Sequence, residues 1–263
     1  MRNLDEINAA AKSTRFAFMV SLVIPIIMGW GAWALAAGAA PRLPFQQNRL
    51  EILGLGISGI AITMLPISYL FKWNWETKYF GAGLLPFASG SILGIYPILC
   101  ITLYSSLPIS IRLALIFFHF ALIIRWCYRF VAIYRTIYRN EHLFQYIYNE
   151  DSSAVYYSQQ ADKNVVNKLL KFNQFPSARF VTLSLLAAFS LIPFNTPLSR
   201  VIGLPFTHIF LAVAATPLNL MFLGLGTKMW LVYYLYPMKI KKKNQKPVYV
   251  DISSKPPMPM PDV

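Results

Sequence analysis

A chain of 263 residues that is 56% hydrophobic and only 13% charged, with a mean hydropathy of +0.49, lacks the polar surface to solvate a globule of its size. That excludes an ordinary soluble domain and makes lipid the second solvent. The net charge of +14 then becomes evidence about orientation, because Lys and Arg collect in cytoplasmic segments; no basic stretch forms a recognisable nucleic-acid module, so no nucleic acid is expected as a partner.

A helix needs about 20 mainly apolar residues to cross a hydrocarbon core. Six stretches qualify, approximately Phe16–Gly38, Leu50–Phe71, Phe80–Tyr104, Leu107–Trp126, Phe180–Pro197 and Val201–Leu223. They predict an all-α integral membrane protein, a bundle of about six transmembrane helices with a helical cytoplasmic loop. The first four spans and a short N-terminal tail occupy 1–126, the loop 127–178, the last two spans 179–236, and a basic, Pro-rich disordered tail 237–263. Ala34-Leu-Ala and Ala37-Gly-Ala resemble signal-peptidase sites. The apolar run from Phe16 is nevertheless long enough to span, and Asp5 and Glu6 do not suit a basic leader, so an uncleaved first helix is expected. The fifth span is short and holds Pro193 and Pro197; a re-entrant turn over 190–205 is the alternative there.

With the N-terminus inside, segments 1–15, 72–79, 125–179 and 228–263 hold three, two, eight and seven of the 24 Lys and Arg, twenty in all, against four outside. This bias places both termini in the cytoplasm of a bacterial-type inner membrane. Trp73, Trp75, Trp126 and Trp230 fall at the inner interface, Trp30 and Trp33 toward the outer one. Cys100 and Cys127 fall near opposite ends of neighbouring helices and are expected to be free thiols.

The loop opens with a basic amphipathic helix. Arg125, Arg129, Arg135 and Arg139 share about 120° of arc, opposite Phe130, Ile133, Tyr134, Ile137 and Tyr138. Anionic lipid head groups are the expected contact of this basic stripe, with a protein partner as the second. Asn149 to Ser158 reads as a polar loop, and Asp162 to Phe175 as a helix with Val165, Val166, Leu169 and Leu170 on one face. Lys239, Lys241, Lys242, Lys243 and Lys246 form a stop at the inner face, where Lys241, Lys242 and Lys243 are further candidate contacts to anionic lipid or a partner, and Lys255 to Val263 reads as a Pro-rich flexible end.

Nothing in the chain carries chemistry with specificity. Gly54-Leu-Gly-Ile-Ser-Gly59 matches a dinucleotide fingerprint in letters only, for it lies inside an apolar span where small residues let helices approach. Gly90-Ser-Ile-Leu-Gly94 is a GxxxG packing surface. His119 and His208 lie within spans and form a candidate intramembrane polar site, though neither has a Cys or carboxylate at ligand spacing. His142 is expected to be solvated. Glu51 sits at the outer boundary of the second stretch and the other nine acids lie outside the six stretches on the cytoplasmic side; this weighs against ion-coupled transport, and the loop acids Glu141, Glu150, Asp151 and Asp162 read as solvated linker. Prolines 25, 66, 86, 97, 193, 205 and 217 interrupt the spans. No cofactor, metal or catalytic residue is expected. The reading is a non-enzymatic membrane protein acting through protein–protein interaction, in a secretion or envelope assembly or as an immunity-type protein. The alternative is a small transporter or channel built on a Pro-kinked bundle.

Overall fold

The computed structural model describes residues 4–70, 76–170 and 177–251, with only the backbone considered at 4–15, 64–70 and 170. Trp73, Trp75 and the Pro-rich end from Lys255 lie outside the described residues. In chain order the helices are α1 (Leu4–Ala39), α2 (Arg49–Leu70), α3 (Thr77–Leu84), α4 (Ile92–Tyr104), α5 (Ile109–Arg139), α6 (Glu141–Ile147), α7 (Gln159–Leu170), α8 (Ala178–Ser190), α9 (Asn195–Ile202), α10 (Phe206–Ala214), α11 (Thr216–Trp230) and α12 (Tyr236–Asn244). Among the described residues four segments are long and apolar enough to cross a membrane: Phe16–Ala39, Thr77–Tyr104, Ile109–Arg139 and Ala178–Ile202. The pair Phe206–Ala214 and Thr216–Asn244, bent by 51°, makes a fifth if taken as one span. The 22-residue α2, whose side chains are described as far as Thr63, lies along α1.

Proline sets several of the breaks. Pro86 opens a 3-10 stretch, Leu85–Ser91, that joins α3 to α4; Pro193 lies in a second, Ile192–Phe194; Pro217 follows the bend at the start of α11. A first-turn proline loses no helix hydrogen bond, so a new helix starts there cheaply. Pro25 and Pro97 instead sit within α1 and α4. The turn after the fifth expected span comes later than the sequence suggested. The chain stays helical to Ile202 and reverses at Gly203, which holds a left-handed φ of 73°.

Glycine controls the closest helix approaches. A Cβ on Gly54 would stand 2.7 Å from the backbone N of Trp33, and one on Gly29 would overlap the Gly54 carbonyl and Ser58. Ser58 Oγ donates to the Ile26 carbonyl at 3.0 Å across the same contact. Gly56 and Gly59 face open space, so one glycine of the fingerprint-like run makes the approach. Gly90 and Gly94 are covered by Phe222 and Asn219 of α11, an internal packing surface.

Two buried clusters mark the two ends. At one, Ala36, Leu50, Tyr96, Cys100 and Leu204 pack together. There the Ser106 amide and hydroxyl donate to the carbonyls of Ile202 (2.8 Å) and Val201 (2.7 Å), and Tyr104 Oη donates to Asn48 Oδ1 (2.8 Å). The turns around 40–48, 105–108 and 203–205 therefore share this loop end. At the other end Phe18 of α1 meets Phe80 of α3 in an edge contact at 5.1 Å, within a cluster that includes Tyr134, Ile147, Tyr157, Val165, Val232 and Tyr236. Residues 76–80, 134–166 and 228–250 thus gather on one side, the same grouping the charge count assigned. Between the ends, α5 and α8 turn apolar side chains outward: Phe117 is 77% exposed, and Leu183, Leu186 and Phe189 are exposed too. Acyl chains suit such a surface and water does not.

The expectation of an all-α fold is corrected by a small sheet at this second end. β1 (Tyr148–Glu150) runs antiparallel to β2 (Val155–Ser158), and β2 parallel to β3 (Val248–Asp251), in the order β1-β2-β3. The stretch read as a polar loop is thus mostly a hairpin, closed where the Asp151 amide donates to the Ala154 carbonyl at 2.8 Å. The segment read as disordered from 237 is ordered to Asp251, as α12 followed by β3. Each strand has three or four residues, too few for an alternation to stand out, and β3 acquires its ladder only from residues far upstream. Cys100 is buried and Cys127 half-buried, both as free thiols.

Candidate functional site

The basic stripe on α5 is real, but its apolar side is already taken. Tyr134 and Ile137 are buried, and Phe130, Ile133 and Tyr138 pack beside them against the C-terminal segment of the same chain. The apolar side of the helix is therefore occupied by an intramolecular contact. Arg125, Arg135 and Arg139 remain exposed; Arg129 is half-buried, its guanidinium 5.8 Å from the Trp126 ring centre. Trp126 is itself buried, against Phe130 at 5.1 Å, and so is not part of an interfacial belt, whereas Trp30 and Trp230 are exposed.

Asp162, read as a linker acid, is fully buried. Its Oδ1 accepts from Tyr134 Oη at 2.8 Å, and its Oδ2 lies 2.6 Å from Lys228 Nζ. The signal for this was in the chain: Asp162 sits at i relative to Val165, Val166 and Leu169 at i+3, i+4 and i+7, and so shares their inward face. Around it Tyr148 Oη donates to the Val232 carbonyl (3.1 Å) and Gln159 Nε2 to Tyr233 Oη (3.0 Å). Burial, with the Asp162 charge second, holds the Tyr148 and Tyr157 hydroxyls well above the usual tyrosine range.

On the outer side of this core is an open cavity of about 750 Å³ between the end of α5, α6, β1 and α12. Arg139 and Lys243, two of the predicted contact residues, line it with His142, and the rings of Tyr138, Phe144 and Tyr146 form part of its wall. Of the remaining predicted residues, Lys241 lies 3.8 Å from Glu76, and Lys242 is exposed. Lys239 lies over the rings of Tyr138 (5.4 Å) and Tyr236 (5.5 Å), and Lys246 is bound to Glu150 at 2.8 Å. The structure thus brings Arg139 and Lys243 together and leaves Arg125 elsewhere along α5.

The two intramembrane histidines do not form one site. His119 Nε2 accepts from Asn219 Nδ2 at 2.9 Å, joining α5 to α11; His208 Nε2 donates to the Leu35 carbonyl at 2.8 Å, joining α10 to α1. Both are buried. Asn219, fully buried and unremarked in the sequence, is the polar residue that satisfies His119. At the loop end Glu51 is also buried, accepting from Asn48 Nδ2 at 2.8 Å in the first turn of α2, where a carboxylate suits the helix N-terminus. No group of His, Cys, Asp and Glu able to hold a metal ion occurs among the described residues. Compared with known proteins, the chain matches no family model, no curated protein and no solved structure. Its function is read from its own geometry.

Proposed function

We propose that this chain is a non-enzymatic, six-span protein of a bacterial-type inner membrane, with both termini and the sheet end in the cytoplasm, acting by docking a protein partner on the sheet-end module. The observation that carries this reading is the construction of that module. Segments 134–166 and 228–250 close on one aromatic core, while the cationic side chains of Arg135, Arg139, Lys242 and Lys243 stay outside it. A packed platform with a basic face fits partner recognition, and charge complementarity fits both an acidic partner and anionic head groups near Arg125. The positive-inside bias supports the direction, and α2 with the bent α10–α11 pair supplies the fifth and sixth crossings.

The transporter reading loses its motive in the histidines. Each bonds to a neighbouring helix, the ordinary role of a polar residue in a bundle. The test is site-specific photo-crosslinking in native membranes. A probe at Arg135 or Lys242 gives one discrete heteromeric product, and a probe at the lipid-facing Phe117 gives none. Absence of any product at the basic positions, together with substrate flux in proteoliposomes that is lost in the His119→Leu/His208→Leu variant, overturns the proposal.

A further inference from the structure

The cavity at the sheet end has a composition of its own. Arg139 comes from the end of α5, His142 from α6 and Lys243 from α12, so donors reach it from three elements. Each of its two acids is held by neighbouring side chains. Glu150 accepts from Lys246 Nζ at 2.8 Å and Asn244 Nδ2 at 3.1 Å, and Glu141 accepts from Gln145 Nε2 at 3.3 Å. That leaves an excess of cationic donors above an aromatic wall, in a volume of about 750 Å³, within the usual span for a small-molecule site.

We infer that this cavity binds a soluble phosphomonoester, its phosphate held by Arg139, Lys243 and His142 and its organic part against Tyr138, Phe144 and Tyr146. A phosphate offers three acceptor oxygens to donors arriving from several directions, whereas a carboxylate offers two in one plane. The height of the cavity decides between a free ligand and a lipid head group. The hydrocarbon span of α5, counted about 20 residues from Ile109, ends near Tyr128. Arg139 then stands roughly 16 Å farther out at 1.5 Å per residue, beyond a head-group layer of roughly 5–8 Å. The inference is independent of which protein docks on the basic face.

The test is calorimetric titration of the full chain in phosphatidylcholine nanodiscs with phenyl phosphate, with inorganic phosphate for the anion alone, and with phosphatidic acid placed in the discs for the lipid source. Phenyl phosphate binds saturably and more tightly than inorganic phosphate. Arg139→Gln and Lys243→Gln each weaken it about tenfold, the loss of one charge-assisted hydrogen bond. Lys163→Gln, on the exposed side of α7, leaves it unchanged. Both cavity residues are exposed, and an unaltered circular dichroism spectrum confirms that the variants fold. No saturable binding, binding at wild-type strength by the two cavity variants, or competition by phosphatidic acid overturns the inference. Crosslinking at Arg135 is read separately and distinguishes failure of this site from failure of partner docking.

Discussion

Lys228 of α11 places its ammonium 2.6 Å from the carboxylate of the fully buried Asp162 on α7, so the last apolar helix pair is tied to the sheet-end module by an ion pair. Removing one partner of a buried pair strands the other charge. Asp162→Asn is expected to cost about 3 kcal/mol, at the low end for such a break because Lys228 keeps some solvent. Adding Lys228→Met recovers part of that loss, since no ammonium is then left unpaired. Thermal unfolding in detergent measures both, and strictly additive losses would contradict the coupling.

The tyrosines around this pair predict alkaline lability. Tyr148 and Tyr157 titrate well above the unfolded value near 10 because burial disfavours the phenolate. Their folded pKa is raised, so the stability they supply is complete below the unfolded value and is lost as pH rises through the folded one. Tyrosinate absorbance at 295 nm is therefore expected to lag for these residues above about pH 10 and to rise together with loss of tertiary circular dichroism. Free early titration of every tyrosine with the fold intact would refute this.

The histidine–asparagine bond joins α5 and α11 inside the bundle. His119→Leu and Asn219→Leu are each expected to cost about 1 kcal/mol, and the double variant little more than either alone, because each single change leaves one buried group unsatisfied. His208→Leu should destabilise independently, through the contact with Leu35 on α1. A thermal-stability cycle over the four proteins settles the coupling.

Neighbouring glycines on α2 should behave oppositely. Gly54→Ala drives a methyl group into the backbone of α1, near Trp33 N and the Gly29 carbonyl, and is expected to cost about 1–3 kcal/mol. Gly56→Ala meets open space and should be neutral or stabilising by up to about 1 kcal/mol, the helix-propensity gain. Equal effects at the two positions would mean that α1 and α2 do not approach here.

Some of this was legible along the chain because it depends on neighbours three or four residues away. The length of each apolar run marked the membrane helices, the spacing of Arg125, Arg129, Arg135 and Arg139 marked an amphipathic extension, and the side on which Lys and Arg collect predicted which segments gather at one end. Asp162 belonged to the same local information, through its spacing to Val165 and Val166, and was masked by the polar stretch before it. Other features have no local signature. β3 is four residues whose ladder lies on Val155–Ser158, the cation paired with Asp162 is on α11, and His119 is satisfied by an asparagine on another helix. Hydropathy and periodicity, then, determined by themselves that the chain belongs with lipid and which faces turn inward. Only the tertiary structure decided what those faces meet. The energy of a buried ion pair, an interhelical hydrogen bond or a parallel strand resides in a contact that exists only once distant segments have closed on each other.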